Sequence, residues 1–159
     1  MKSVRKEELI DYLRDKGLKC TFGESLTGGM IASGIVDVPG ASDVLAGSIV
    51  AYTDDYKINV LGVPSQIITE KTAVSSECAV SMAEQALKLS GVDVAVSVTG
   101  YAGPGDGPDG TPSGTVYIGF ADKNGSGALH ERFAGTRDAV RQCTRDYAYD
   151  LMYERAAAL

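Results

Sequence analysis

Apolar positions recur at helical spacing in four stretches of the chain and alternate or run together in five others. The clearest helix follows Ser75, where Ala79, Met82, Ala83, Ala86 and Leu87 repeat at i, i+3, i+4, i+7 and i+8 before Gly91 ends it. Leu9, Ile10 and Leu13 share one face of a helix predicted from Val4 to Lys16, capped by Ser3 and stopped by Gly17. A third spans Met30 to Val36, and the last is capped by Thr136 with Val140, Cys143, Tyr147 and Leu151 facing inward. Between them lie predicted strands at Leu18 to Phe22, Ala46 to Tyr52, Val92 to Val98, Thr115 to Ala121 and Ala128 to Phe133. Val92 to Val98 is nearly continuous apolar, as expected of a strand covered on both faces. The last two strands read as a hairpin across Lys123 to Gly127, and a short helix from Asp55 to Leu61 ends at Gly62 and Pro64.

This order predicts an α/β fold, a three-layer α/β/α arrangement around a mixed β-sheet. With 159 residues and 44% hydrophobic content, residues 1–159 are expected to form one domain around one core. A net charge of −6 with no block of Lys or Arg disfavours nucleic acid, and a small-molecule substrate is the expected partner. Cys20, Cys78 and Cys143 are odd in number, far apart and each in an apolar-periodic segment, which predicts buried thiols in a reducing compartment. Charged Arg5, Lys6, Glu7 and Glu8 leave no signal-peptide core, and no uncharged run approaches the ~18 residues of a membrane span. The expected localisation is cytoplasmic, with no membrane partner.

Two stretches carry candidate chemistry. In Thr21-Phe22-Gly23-Glu24-Ser25-Leu26-Thr27-Gly28-Gly29, Ser25 falls on a strand-to-helix turn, where unpaired N–H groups at a helix N-terminus suit an anion or oxyanion. The second, Thr99 to Gly114, is rich in Gly and Pro. Gly105, Gly107 and Gly110 match G-x-G-x-x-G, but the loop leads into a strand instead of a helix, which removes the dinucleotide-binding reading. Such a loop can instead bring backbone N–H groups near a phosphate or carboxylate. As partner for Ser25, His130 is the only histidine, yet it reads as the exposed face of an alternating strand. Lys57, shortly after Tyr52, is the other candidate base, because a desolvated lysine can accept the serine proton and Tyr52 can orient it or relay a proton. By spacing alone, Lys57 reads more readily as a surface lysine with a buried stem than as the partner of Ser25.

Gly23-Glu24-Ser25-Leu26-Thr27-Gly28-Gly29, Tyr52-Thr53-Asp54-Asp55-Tyr56-Lys57 with Leu61-Gly62-Val63, Val98 to Gly105, and Gly114-Thr115-Val116 together resemble the CinA C-terminal domain family, over roughly residues 5 to 155. That resemblance implies a nicotinamide-nucleotide amidohydrolase, converting nicotinamide mononucleotide (NMN) to nicotinic acid mononucleotide and ammonia without metal or organic cofactor. It implies Ser25 as nucleophile, Lys57 as base and Tyr52 as their partner. Thr27, Gly28 and Gly29 would lie near the oxyanion, and Thr99, Gly100, Ala102, Gly103 and Gly105 would shape the pocket. Arg137, in Gly135-Thr136-Arg137, matches a family arginine; a cation in the first turn of a helix suits a bridging phosphate. The chain departs from the family pattern at Leu26 (often cysteine), Asp54 (usually asparagine), Tyr101 (usually smaller) and Thr136 (usually aspartate). A carboxylate at Asp54 favours a protonated Lys57. The alternatives are a serine-lysine amidase for another small amide, and a non-catalytic nucleotide-binding or regulatory module. The resemblance also implies a stand-alone form of the domain and a homo-oligomer.

Overall fold

The computed structural model describes residues 3–159. Five strands form one mixed sheet in the order β2-β1-β3-β4-β5, comprising β1 (Cys20–Glu24), β2 (Leu45–Val50), β3 (Val94–Gly100), β4 (Thr115–Asp122) and β5 (Gly125–Arg132). β1 runs parallel to both β2 and β3, while β3–β4 and β4–β5 are antiparallel. Side chains alternate across the sheet. Cys20, Phe22, Val94, Val96 and Val98 join the larger apolar cluster against α1 (Lys6–Lys16), α2 (Met30–Val36) and α6 (Arg137–Ala157). Ala95 turns to the other face and packs with Cys78, Met82 and Ala86 of α5 (Ser76–Ser90). The predicted α/β/α layering and mixed sheet are therefore present.

Because β1 lies between β2 and β3, its connection through α2 leaves on one face and that from β2 to β3 returns through α5 on the other. The crevice of such a sheet lies beyond the carboxyl ends of the strands where the connections diverge. Here that point is the end of β1, beside the end of β3, where Ser25 and Thr99 fall. The α5 layer approaches closely at Gly119 of β4, where an added Cβ would lie 2.2 Å from the Ala79 carbonyl oxygen.

Several sequence expectations are corrected in detail. Helix α1 starts at Lys6 with Arg5 at its N-cap and no side-chain cap, so Ser3 does not cap it; the Val4 N–H instead donates to Asp150 Oδ1 at 2.6 Å. Cys20 and Cys78 are buried, but Cys143 is exposed. The inward stripe of α6 runs Val140, Thr144, Ala148, Leu151 and Met152, and the Thr144 hydroxyl donates to the Val140 carbonyl at 2.7 Å, which removes its need for water. The β4–β5 loop contracts to Lys123-Asn124, as Asp122 pairs with Gly125. Helix α4 (Ser65–Lys71) has no counterpart in the sequence reading, since none of its residues is fully buried and no stripe marks it. The predicted helix from Asp55 to Leu61 is α3 (Asp54–Tyr56) running into a π-helical turn, Lys57–Leu61.

Candidate active site

The turn after β1 is organised by Glu24. Its carboxylate is 0% exposed and accepts five hydrogen bonds. Oε1 takes Thr27 Oγ1 (2.8 Å), Gly29 N (3.1 Å) and Ile31 N (3.0 Å), and Oε2 takes Ala32 N (3.2 Å) and Ser48 Oγ (2.7 Å). A buried charge needs such compensation, and the amino end of α2 supplies it. The anion expected at this helix start is thus the protein's own. The Gly29 N–H is held by Glu24 and the Gly28 N–H donates to the Ser25 carbonyl at 3.1 Å, so neither is free for a substrate oxyanion. Thr27 is buried behind the turn, tied to Glu24. On the far side, Arg141 of α6 donates to the Leu26 carbonyl (2.8 Å) and the Thr27 carbonyl (3.1 Å), fixing the residues that follow the serine.

Lys57 closes on that turn from the first residue of the π-helical segment, a geometry often found at functional sites. It is only 2% exposed, which overturns the surface-lysine alternative. Its Nζ lies 2.8 Å from Ser25 Oγ, 2.8 Å from the Ala51 carbonyl and 3.3 Å from the Tyr52 carbonyl. Among the described residues no carboxylate lies within ion-pair distance of it. Burial lowers the Lys57 pKa from its ordinary 10.5, while the charges of Cys78 and Asp54 oppose the shift. Burial also pushes the Cys78 thiol up to about 11, so near neutral pH it is uncharged and Asp54 is the opposing charge in effect. A neutral lysine keeps two N–H groups for the two carbonyls and directs its lone pair at the serine hydroxyl. That is the protonation state a general base requires.

Ser25, Lys57, Asp54 and Tyr52 line a cleft of about 620 Å³ whose opposite wall is the segment Thr99 to Asp109, with Arg137 at the rim. The wall is ordered by its own bonds: Tyr101 N to the Thr115 carbonyl (3.0 Å), Gly107 N to the Thr111 carbonyl (2.7 Å) and Gly114 N to the Tyr101 carbonyl (2.7 Å). Gly103 has φ +88, and a Cβ there would lie 2.4 Å from Ser113 Oγ, so only glycine fits. The Thr99 hydroxyl donates to the Ala73 carbonyl at 2.7 Å, holding the end of β3 against the segment before α5. The structure thus brings Ser25, Lys57, Tyr52, Thr99, Gly100, Ala102, Gly103, Gly105 and Arg137 into one cleft, whereas Thr27, Gly28 and Gly29 do not line it.

The Tyr52 side chain does not meet the serine-lysine pair. It is 58% exposed, and its hydroxyl accepts from Arg137 Nη2 at 3.2 Å; only its backbone carbonyl reaches Lys57. Arg137 Nη1 donates to the Gly103 carbonyl at 2.6 Å, so the guanidinium joins the two walls of the cleft. His130 is exposed, stacked on Tyr117 at 4.7 Å and absent from the cleft lining, which removes a histidine triad. Sequence reasoning missed Glu24, Arg141 and the carbonyls of Ala51 and Tyr52. The one signal for Glu24 was an acid directly before the turn and within reach of the first turn of α2. Among the described residues no group of three or more His, Cys, Asp or Glu could hold a metal ion, and no helix is long and apolar enough to cross a membrane.

Residues 2–156 match the family model of the CinA C-terminal domain. Curated relatives include a CinA-like protein of Geobacter sulfurreducens, 44% identical over 142 residues that make up 89% of this chain and 34% of the relative. A putative competence-damage inducible protein of Caldicellulosiruptor bescii is 40% identical over 154 residues, 97% of this chain and 38% of the relative. The chain therefore spans about a third of the length of these curated relatives. Among solved structures, the competence damage-inducible protein A of Klebsiella pneumoniae superposes with a TM-score of 0.91 at 32% identity, covering 97% of this chain and 98% of that one. A competence/damage inducible protein of Agrobacterium tumefaciens gives 0.87 at 35% identity, covering 94% and 92%.

Proposed function

The chain belongs to the CinA C-terminal domain family, and on that premise we propose that it hydrolyses the carboxamide of NMN to nicotinic acid mononucleotide and ammonia. The observation that carries the proposal is the buried Lys57 Nζ, 2.8 Å from Ser25 Oγ, with its other donors taken by backbone carbonyls and no carboxylate paired to it among the described residues. A structural lysine in the core has no need of a serine hydroxyl opening on a cleft; a general base does.

In the proposed reaction the Ser25 proton passes to Lys57 as Oγ bonds to the carboxamide carbon. The resulting ammonium stands beside the tetrahedral oxyanion and then gives its proton to the departing nitrogen, so the C–N bond breaks with loss of ammonia and leaves an ester on Ser25. Water enters, Lys57 takes one of its protons, the ester bond breaks, and the proton returns to Ser25. Arg137 at the rim supplies the cation for the phosphate of the nucleotide, with Tyr52 orienting it. Burial of the pair matters because desolvation both lowers the lysine pKa and strengthens the charge interactions during attack.

The test is incubation of the purified protein with NMN, measuring nicotinic acid mononucleotide and ammonia together. Equal molar release of both supports the reading. Release from other small amides but not from NMN would transfer the same chemistry to a different substrate. A second reading, a nucleotide-binding module without turnover, is favoured by Asp54 alone, whose charge opposes deprotonation of Lys57; binding of NMN without ammonia release would select it.

A further inference from the structure

The charges in the cleft are unevenly distributed. Arg137 stands at the rim, bonded to Gly103 and Tyr52, whereas Asp54 lies three residues before Lys57 on the same helical run and lines the cleft with it. Two other carboxylates on the opposite wall are committed to the loop: Asp106 Oδ1 accepts the Ser113 N–H at 2.9 Å and Asp109 Oδ1 the Thr111 N–H at 3.0 Å. Among the described residues the Asp54 carboxylate has neither an ion pair nor a hydrogen-bond donor. Asp54 is exposed, so water solvates its charge in the empty cleft and leaves it open to a cationic ligand.

We propose that Asp54 is a specificity residue that selects carboxamides carrying a fixed positive charge on the ring, so that the oxidised, pyridinium form of a nicotinamide nucleotide is favoured over uncharged amides. The proposal takes its substrate from the amidohydrolase reading. The carboxamide of such a nucleotide is meta to the ring nitrogen, so an amide at Ser25 brings the ring cation into the cleft that Asp54 also lines. The phosphate, at the other end of the ligand, is left for Arg137. An uncharged ring would displace water from the exposed Asp54 carboxylate without replacing it by an opposite charge, which costs binding. A cationic ring offsets the Asp54 charge, which opposes the lowering of the Lys57 pKa by burial, so arrival of the correct substrate favours the neutral base. An asparagine here could not discriminate on charge.

NMN and its reduced form share the phosphate, ribose and carboxamide and differ in ring charge, which makes them the probes. In wild type, kcat/KM for NMN is expected to exceed that for reduced NMN by about tenfold or more, the effect of one partly solvated charge pair. In Asp54→Asn the ratio should fall to about threefold or less, chiefly through loss on NMN. The acid limb of the kcat/KM profile should also move to lower pH in this variant. Besides Asp54, the titratable or charged groups around Lys57 are Glu24 behind the serine, Cys78 on α5, Tyr52, Tyr101, Asp106 and Asp109 in the cleft wall, and Arg137 on α6; all are unchanged in the variant. A purely structural role for Asp54 would lower both substrates equally and leave the ratio intact, and that result overturns the proposal. Calorimetric binding of both nucleotides to Ser25→Ala, with and without Asp54→Asn, separates this failure from that of the hydrolase reading. A preference for NMN abolished by Asp54→Asn sustains the charge selection even if no ammonia is released by wild type; equal binding of both forms refutes it even if ammonia is.

Discussion

Replacing Glu24 by glutamine tests whether the serine turn is built on a buried carboxylate. The substitution keeps size and one acceptor oxygen but turns the other into an NH2 group. If the amide oxygen takes the Oε1 position, Thr27 Oγ1, Gly29 N and Ile31 N keep their partner. The NH2 then faces Ala32 N and Ser48 Oγ, which were 3.2 and 2.7 Å from Oε2. Ser48 can rotate and accept instead. The Ala32 N–H cannot, and an orphaned buried donor costs about 1–3 kcal/mol. Loss of the negative charge at the start of α2 removes roughly another 0.5–1 kcal/mol. The sum, about 1.5–4 kcal/mol, is a large part of the ~5–15 kcal/mol that holds a domain of this kind together. For a chain of this length it corresponds to a fall in Tm of about 3–15 °C, measurable by calorimetry or circular dichroism. Glu24→Ala, which orphans three amides and two hydroxyls, should fall further. A Tm for Glu24→Gln within about 2 °C of wild type would refute the reasoning, because it would mean that the five bonds contribute no more than those of a solvated side chain.

Other perturbations separate the roles of the remaining groups. Turnover should rise with pH through the lowered Lys57 pKa, because the neutral amine is the base. The folded pKa lies below the unfolded one, so burial of Lys57 penalises stability fully below the folded pKa and the penalty vanishes as pH rises towards the ordinary 10.5; Lys57→Met should lose both turnover and this upward slope of stability with pH, as chemical denaturation at several pH values would read. Tyr52→Phe should leave kcat within about twofold, since the lysine is held by the Tyr52 carbonyl and not its hydroxyl, whereas Arg137→Ala should raise KM for a phosphorylated substrate about tenfold; a kcat collapse in Tyr52→Phe would restore the tyrosine to the proton path. Gly119→Ala should destabilise by about 1–3 kcal/mol, as its methyl meets the α5 backbone at Ala79, and an unchanged Tm would show that α5 shifts freely on the sheet.

The layers of this fold were legible because burial leaves a periodic trace. The stripe of α5, the continuous apolar run of β3 and the caps Ser75 and Thr136 all follow from local rules, and both caps are made, to Cys78 N and Ala139 N. Legibility failed where a residue's partners come from elsewhere in the chain. Glu24 reads as a solvated acid until α2 and β2 close over it, and Arg141 is one more helical charge until it meets the serine turn across more than a hundred residues. Lys57 could be read as surface or base because the π-helical turn that buries it has no sequence period. The Tyr52 side chain, expected to orient Lys57 or relay a proton, turns elsewhere, because a strand-end tyrosine can direct its carbonyl one way and its hydroxyl another. The apolar spacing places Cys143 inward, but Thr144, a hydroxyl that satisfies itself on the preceding turn, holds that position instead.

Ammonia release from NMN by wild type and by Ser25→Ala, with NMN binding measured in both, tests the central claim most directly. The Ser25–Lys57 account predicts release by wild type alone, with the variant folded and still binding the nucleotide. Equal release by the variant would contradict the serine mechanism, and no release by folded, NMN-binding wild type would contradict the hydrolase assignment.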